Sequence, residues 1–192
     1  MSVIGLSAKI GCGKTTLAKM IADKWPGVVL RESFGNLLKQ ECSAYFGFPV
    51  EWCYSQEGKD HPVDFTVYPS GVVLRTVREA LQWYGTDFRR CQDPCYWVKA
   101  MQEAIELGRA AYPDALVIID DVRFPNEAEL VLEHGSLFRI EPYDGWQPGP
   151  NAEHVSETAL DGYARFSGVF RPTYGMTALA LVADCIQGRV WA

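Results

Sequence analysis

The 192-residue chain has no apolar run near the roughly 20 residues needed to cross a bilayer. It also lacks a basic, then apolar, then small-residue succession at its start, so no secretory leader is visible. Basic residues are in the minority, 18 Lys and Arg against 24 Asp and Glu, for a formal net charge of −6. A protein whose main work is to grip nucleic-acid phosphates favours a basic face. Nucleic acid is therefore not the expected partner, although a local basic pocket stays open. There are no internal repeats, no low-complexity tracts and no Ser–His–Asp set among the three histidines. The six cysteines come without an export signal and read as free thiols of a cytoplasmic protein. Cys91 and Cys95 stand four apart, but no His or Cys pair nearby completes a four-ligand metal site. What remains is a globular chain, 48% hydrophobic and 22% charged. Its length suits one domain, or one domain with a small insertion.

The most informative stretch is SVIGLSAKIGCGKTTLAKMIADKW, residues 2–25. Residues 3–7 form a short apolar run that suits a buried parallel strand. From Lys14 onward, Leu17, Met20, Ile21 and Trp25 share one helical face, and Pro26-Gly27 ends the helix. Between them lies AKIGCGKT, the phosphate-cradling pattern G-x-x-x-x-G-K-[ST] with Ala8 in place of its first glycine. Backbone N–H groups must turn inward on phosphate oxygens, so side chains must be absent where the chain comes close, as at Gly11 and Gly13. The helix N-terminus adds further N–H groups and partial positive charge. Lys14 is placed to bridge β- and γ-oxygens, and the Thr15 hydroxyl to hold Mg²⁺. Lys9, Cys12 and Thr16 complete the set of nucleotide-binding positions, with Cys12 read as a small residue that fits rather than a redox group.

Further along, 27–34 reads as a strand and 35–48 as a helix. Residues 49–74 carry three prolines, two glycines and many aromatics, and read as mobile loops with short pieces of structure. A helix follows over 76–91, at least to Tyr84. A longer one covers 93–112, with Asp93 as cap and Pro94 at its first position. LVIID (116–120) is a buried strand whose last residue, Asp120, is followed by a second acid, Asp121, and PNEAELVLEHG (125–135) is a short helix. Residues 136–142 read as a strand, 143–154 as a Gly/Pro-rich loop, 155–160 as the start of a short helix, 163–171 as a last strand and 177–188 as a closing helix. Strands alternating with helices imply an α/β fold with a parallel, helix-covered sheet. Ligands of such sheets sit at the carboxyl ends of the strands. That places Asp120, Asp121 and Arg123 beside the phosphate loop, with the acids as direct or water-mediated Mg²⁺ ligands.

After the phosphate loop, ESFGNLLKQECSAYFGF, VREALQWYGTDFRRCQDPCYWV, VIIDDVRFPNEAELVLEHG and EHVSETAL follow in order. Together they resemble the bacteriophage-type deoxynucleoside monophosphate kinases, a branch of the P-loop kinases, over nearly the whole chain. The resemblance implies a three-layer fold: a five-stranded parallel sheet covered by helices, with a monophosphate-binding insertion and a lid. It divides a single domain into a core of 1–34, 93–141 and 160–192, an insertion over about 35–92 and a lid-like region over about 122–158. It implies Mg-dependent transfer of the γ-phosphoryl of ATP to a deoxynucleoside 5′-monophosphate. As partners it implies that monophosphate and allows a homodimer; no membrane partner is expected. A phage-encoded protein would work in the host cytoplasm.

Within that reading Lys14, Arg123 and Asp121 are the catalytic candidates. Arg78 and Arg90 are the candidates for the acceptor phosphate, because guanidinium forks match phosphate oxygens. Gln82, Thr86 and Asp87 are candidates for the base or sugar, Phe34 and Trp97 for packing on the base, and Lys39, with Lys59, for anion contacts. Arg89 is equally well a surface charge; His61, His134 and His154 read as structural, His154 with a phosphate-orienting or helix-capping alternative. Two other classes remain open: a P-loop kinase acting on a modified base in DNA or on another small phosphorylated metabolite, and a non-catalytic nucleotide-binding module. The guanine-reading tetrapeptide N-K-x-D is absent.

Overall fold

The computed structural model describes residues 2–148, 152–153 and 155–190. Its contacts divide the chain into two compact units, Met1–Ser33 with Gln102–Ala192, and Phe34–Met101.

The first unit is built on a parallel sheet. Its strands are β1 (Ser2–Ala8), β2 (Val29–Glu32), β5 (Leu116–Ile119), β6 (Gly135–Ile140) and β7 (Gly168–Phe170), in the order β2-β5-β1-β6-β7. β1 lies at the centre, flanked by β5 and β6, and is buried from Val3 to Ala8, as a strand covered on both faces must be. Alternation along it decides the layers. Ile4, Leu6 and Ala8 join the core formed with α1 (Lys14–Lys24) and α8 (Met176–Val190), through Leu17, Ile21, Val182 and Ile186. Gly5 faces the opposite way, under Val131 of α6 (Pro125–His134). The helix α5 (Tyr96–Ala111) belongs to the second unit as far as Met101, and its remainder to the first, where Gly108 backs onto Leu30 of β2. This is the helix–sheet–helix arrangement that alternating elements imply.

The second unit holds α2 (Phe34–Phe46), a 3₁₀ turn (Val50–Tyr54), α3 (Gln56–Lys59), an antiparallel hairpin of β3 (Pro62–Val67) and β4 (Val72–Thr76), α4 (Val77–Gln82) and a π-helical stretch over Trp83–Arg90. Tyr84 and Trp97 lie in its interior, and Tyr45, Phe46, Phe48 and Phe65 form a connected set of aromatic contacts.

Several boundaries differ from expectation. Residues 49–74, read as loops, hold β3 and the start of β4, joined by a turn in which the Gly71 N–H donates to Val67 O. Pro94 precedes α5 rather than opening it, and Asp93 accepts from Cys95 N just ahead of the helix. The compact second unit runs to Met101, beyond residue 92. Residues 125–140, within the span read as a lid, are α6 and β6, and β6 pairs with both β1 and β7 inside the sheet. His154 lies outside the described residues. All six cysteines are free thiols. No described helix is long and apolar enough to cross a membrane.

Candidate active site

The loop from β1 to α1 is shaped by two glycines in the left-handed region, both at φ +81°. Gly13 is the N-cap of α1, and a Cβ there would meet Leu179 Cδ1 at 2.8 Å. At both positions a side chain would strain the backbone. The first amide bonded inside α1 is that of Leu17, which donates to Gly13 O at 2.9 Å. The amides just ahead of it belong to the helix end that has no intrahelical acceptor, which is the geometry that receives anions. Lys14 Nζ donates to Ala8 O at 2.7 Å and Lys9 O at 3.1 Å, across the mouth of the loop. Trp146 lies over the same loop, its Nε1 donating to Ile10 O at 2.9 Å.

Electrostatics gather the remaining groups. Burial, then the Arg123 guanidinium, lower the Lys14 pKa to about 8, while Glu157, Cys12 and Asp121 oppose that shift. Arg123, Asp121 and Glu157 thus all act on Lys14. Cys12 is buried, and burial raises its thiol pKa, consistent with a packing residue and not a reactive one. Lys9 turns from the loop to donate to Glu157 O at 2.7 Å and to Asp161 Oδ2 at 2.6 Å.

The DVRFPNE block has a structural explanation. Val122 N donates to Leu6 O at 3.1 Å, tying the chain beyond β5 to β1. The buried Glu127 Oε2 then accepts from the N–H groups of Arg123, at 2.8 Å, and Phe124, at 3.1 Å, while Pro125 opens α6. This fixes the turn that presents Arg123. Its guanidinium is paired with Glu157, the buried carboxylate of α7 (Val155–Thr158).

The two acids after β5 are not equivalent. Asp120 Oδ2 is paired with Arg31 Nη2 at 2.8 Å, and its pKa is raised by burial first and by neighbouring Asp121 second. Asp121 Oδ2 accepts from Ser33 Oγ at 2.8 Å. Thr15 is exposed on the first turn of α1. No cluster of three or more His, Cys, Asp or Glu suited to a metal occurs among the described residues. Magnesium does not require one, since it keeps water and phosphate oxygens as most of its ligands.

In the second unit, Arg78 donates through Nε and Nη2 to Asp60 Oδ1, at 3.1 and 2.8 Å, and through Nη2 to Gln56 Oε1 at 2.7 Å. Lys39 Nζ lies 4.5 Å from the centre of the Tyr54 ring and 3.3 Å from Asn36 Oδ1. Gln82, Thr86 and Asp87 are exposed, with Tyr84 and Gly85 buried between them; Arg90 is half-buried. The wider π-helical turn, with its i→i+5 bonding, brings residues four and five apart to one side.

Two expected base contacts belong to the interior instead. Phe34 is buried. Trp97 is 2% exposed, donates Nε1 to Gly85 O at 3.1 Å and packs against Tyr84 and Tyr96, so its faces are occupied. Arg89 is structural: it donates twice to Tyr84 Oη, lies 3.3 Å from Glu41 and covers the Tyr96 ring. His61 lies against Trp52 with the rings tilted by 34°, and His134 bonds Gln102 and Arg109. Sequence reading passed over Glu157 and Trp146. Both act on residues far away in the chain, and only the EHVSE block gave any signal for Glu157.

No protein-family model matches the chain. A curated protein of Acanthamoeba polyphaga mimivirus, named "Putative deoxynucleotide monophosphate kinase", is 32% identical over 174 residues, covering 83% of this chain and 82% of that protein. The chain belongs to the deoxynucleotide monophosphate kinase family. The solved dephospho-CoA kinase from Campylobacter jejuni matches over 98% of this chain and 97% of its own, at 10% identity and a TM-score of 0.50. Shikimate kinase from Acinetobacter baumannii, in complex with shikimate, covers 100% of this chain and 93% of its own, at 11% identity and a TM-score of 0.47. At such identity the dephospho-CoA kinase likeness establishes the fold alone. For this family member, the fold is the five-stranded P-loop kinase sheet flanked by helices.

Proposed function

We propose that the chain transfers the γ-phosphoryl group of ATP to a deoxynucleoside 5′-monophosphate, and that it belongs to the phage-type branch of its family. One observation carries the reading most. The left-handed Gly11 and Gly13, the open start of α1 and Lys14 follow the carboxyl end of the central strand, and Arg123 is near enough to lower the Lys14 pKa, an arrangement that supports an anion site there. The name of the mimivirus relative supports the choice of acceptor.

In the reaction, an acceptor phosphate oxygen forms a bond to the γ-phosphorus. The bond from that phosphorus to the β–γ bridging oxygen breaks, and ADP carries the electron pair away. The protein's part is placement and charge stabilisation. The amides from Gly11 to Thr16 hold the phosphate chain. Lys14 exchanges its carbonyl partners for β- and γ-oxygens, and Arg123 meets the charge on the migrating group. Thr15 and Asp121 are the residues that fit magnesium. Asp120, its charge already met by Arg31, would be a secondary partner of the ion. When bound, the ion would supply positive charge to offset that of the phosphates. Arg78 exchanges Asp60 for the acceptor phosphate, with Arg90 and Lys39 as further cations. Gln82, Thr86 and Asp87 read sugar and base, while Trp97 positions the π-helical stretch that carries Thr86 and Asp87.

The test is incubation with Mg-ATP and each of the four deoxynucleoside monophosphates, with modified pyrimidine monophosphates alongside, followed by separation of the nucleotides. Diphosphate from at least one acceptor is expected. No diphosphate from any of them overturns the reading.

A further inference from the structure

We infer that Glu157 is a positioning residue, holding Arg123 and the phosphate loop in the geometry that transfer requires. This rests on the reading above that Arg123 meets the migrating phosphoryl group.

The Glu157 side chain is 4% exposed, and its two oxygens have different partners. Oε1 takes Arg123 Nη1, and Oε2 takes the Ile10 N–H at 2.9 Å. Its own carbonyl takes Lys9 Nζ. Lys9 also reaches Asp161, whose other oxygen takes Arg139 Nη2 at 3.0 Å, and the buried Arg139 donates to Ser7 Oγ at 2.9 Å. A continuous set of charged bonds therefore runs from the loop through α7 to β1 and β6. A carboxylate this buried is stable only when paired, and removing it leaves its cation without a counter-charge.

Two features separate positioning from blockade. Among the described residues, Arg123 uses only Nη1 of its guanidinium, on Glu157 and on Ser156 O at 3.4 Å. A guanidinium has five donors in a planar fork, so Nε and Nη2 are left for a phosphoryl oxygen. The amide that Glu157 takes is that of Ile10, ahead of the Gly11–Thr16 stretch assigned to phosphate. Glu157 can thus keep both bonds while the site is filled. It touches neither substrate directly and acts through Arg123 and the loop.

The test compares kcat and both KM values for the wild type, Glu157→Gln, Glu157→Asp, Arg123→Ala and the Glu157→Gln/Arg123→Ala pair, with melting temperatures for each. The expected result for Glu157→Gln is a kcat reduced roughly 10- to 100-fold, the scale of a small misplacement at a reacting centre. Its KM values should stay within about threefold, Glu157→Asp should recover part of the loss, and the pair should be no slower than Arg123→Ala. Wild-type kcat in Glu157→Gln, a loss confined to KM, or losses that multiply in the pair would each overturn the inference. Should Glu157→Gln not fold, Glu157→Asp decides on the same kcat-against-KM split. A wild type that makes no diphosphate removes the kinase reading. The positioning role is then decided by hydrogen exchange at the Ile10 amide. Protection lost there in Glu157→Asp or Glu157→Gln, but kept at Leu17, supports it, and unchanged protection at Ile10 overturns it.

Discussion

Arg123 and Arg78 each hold a carboxylate, but the Glu157 side chain opposite Arg123 is 4% exposed and the Asp60 side chain opposite Arg78 is 63% exposed. The two arginines themselves are alike, at 29% and 33%. The difference lies in the acid. An ion pair in water contributes between zero and about 1 kcal/mol and is readily given up for a better anion. A pair with one partner buried persists, because separation strands a charge away from water. The first unit therefore fixes its cation in advance, whereas the second keeps one that is free to trade partners. The proposed roles follow the same division. A group that meets charge during transfer works best when pre-set, and a group that captures an incoming monophosphate must let go of something first.

The comparison can be broken by mutation. Arg123→Ala should have the largest effect, a fall in kcat of about 10³-fold, as for arginines that meet transferring phosphoryl groups. Its acceptor KM should change little. Arg78→Ala should do the reverse, raising acceptor KM by about 10- to 100-fold, the worth of a charged hydrogen bond, with kcat much less affected. Steady-state kinetics with the monophosphate varied would check both. If the two substitutions damaged the same parameter, the division would fail.

The smallest effect is one of pH. Lys14, lowered to about 8 by burial and by Arg123, carries its proton below that pH and loses it above. Its attraction for ATP phosphates should therefore weaken as pH rises through about 8. The alkaline limb of kcat/KM for ATP, which reports the free enzyme, is the measurement. Removing the positive charge in Arg123→Gln lifts one of the causes that lower the Lys14 pKa, so the limb should move to higher pH. Arg78→Ala should leave it in place.

Much of the first unit was legible in the sequence because its signals are local. Apolar runs such as LVII mark central strands, and the glycine-rich turn ahead of Lys14 is a pattern of adjacent residues that is read without the rest of the chain. Arg123 could be picked out, but what fixes it could not. Glu127 is four residues away, whereas Glu157 is thirty-four away, across α6 and β6. The second unit was harder. β3 does alternate, with Val63, Phe65 and Val67 turned inward between exposed Asp64 and Thr66, but it is short and lies between Pro62 and Pro69; in β4 Val72 and Val73 are both exposed and only Leu74 is buried, so its alternation is faint. Trp97 shows the limit of composition: an aromatic near candidate base contacts looks the same whether its faces meet a ligand or Tyr84 and Tyr96.

The order of strands in the sheet also bears on how the molecule is made. Among the described residues, β1 pairs only with β5 and β6, and β2 only with β5. As the chain leaves the ribosome, its first two strands have no partner until the segment around Leu116–Ile119 emerges. Until then the whole of Phe34–Met101 separates them from that partner. That middle segment contains its own hairpin and helices and is free to fold first. The phosphate loop, hung from the end of β1, therefore takes shape late in synthesis, when the central strand is closed in from both sides.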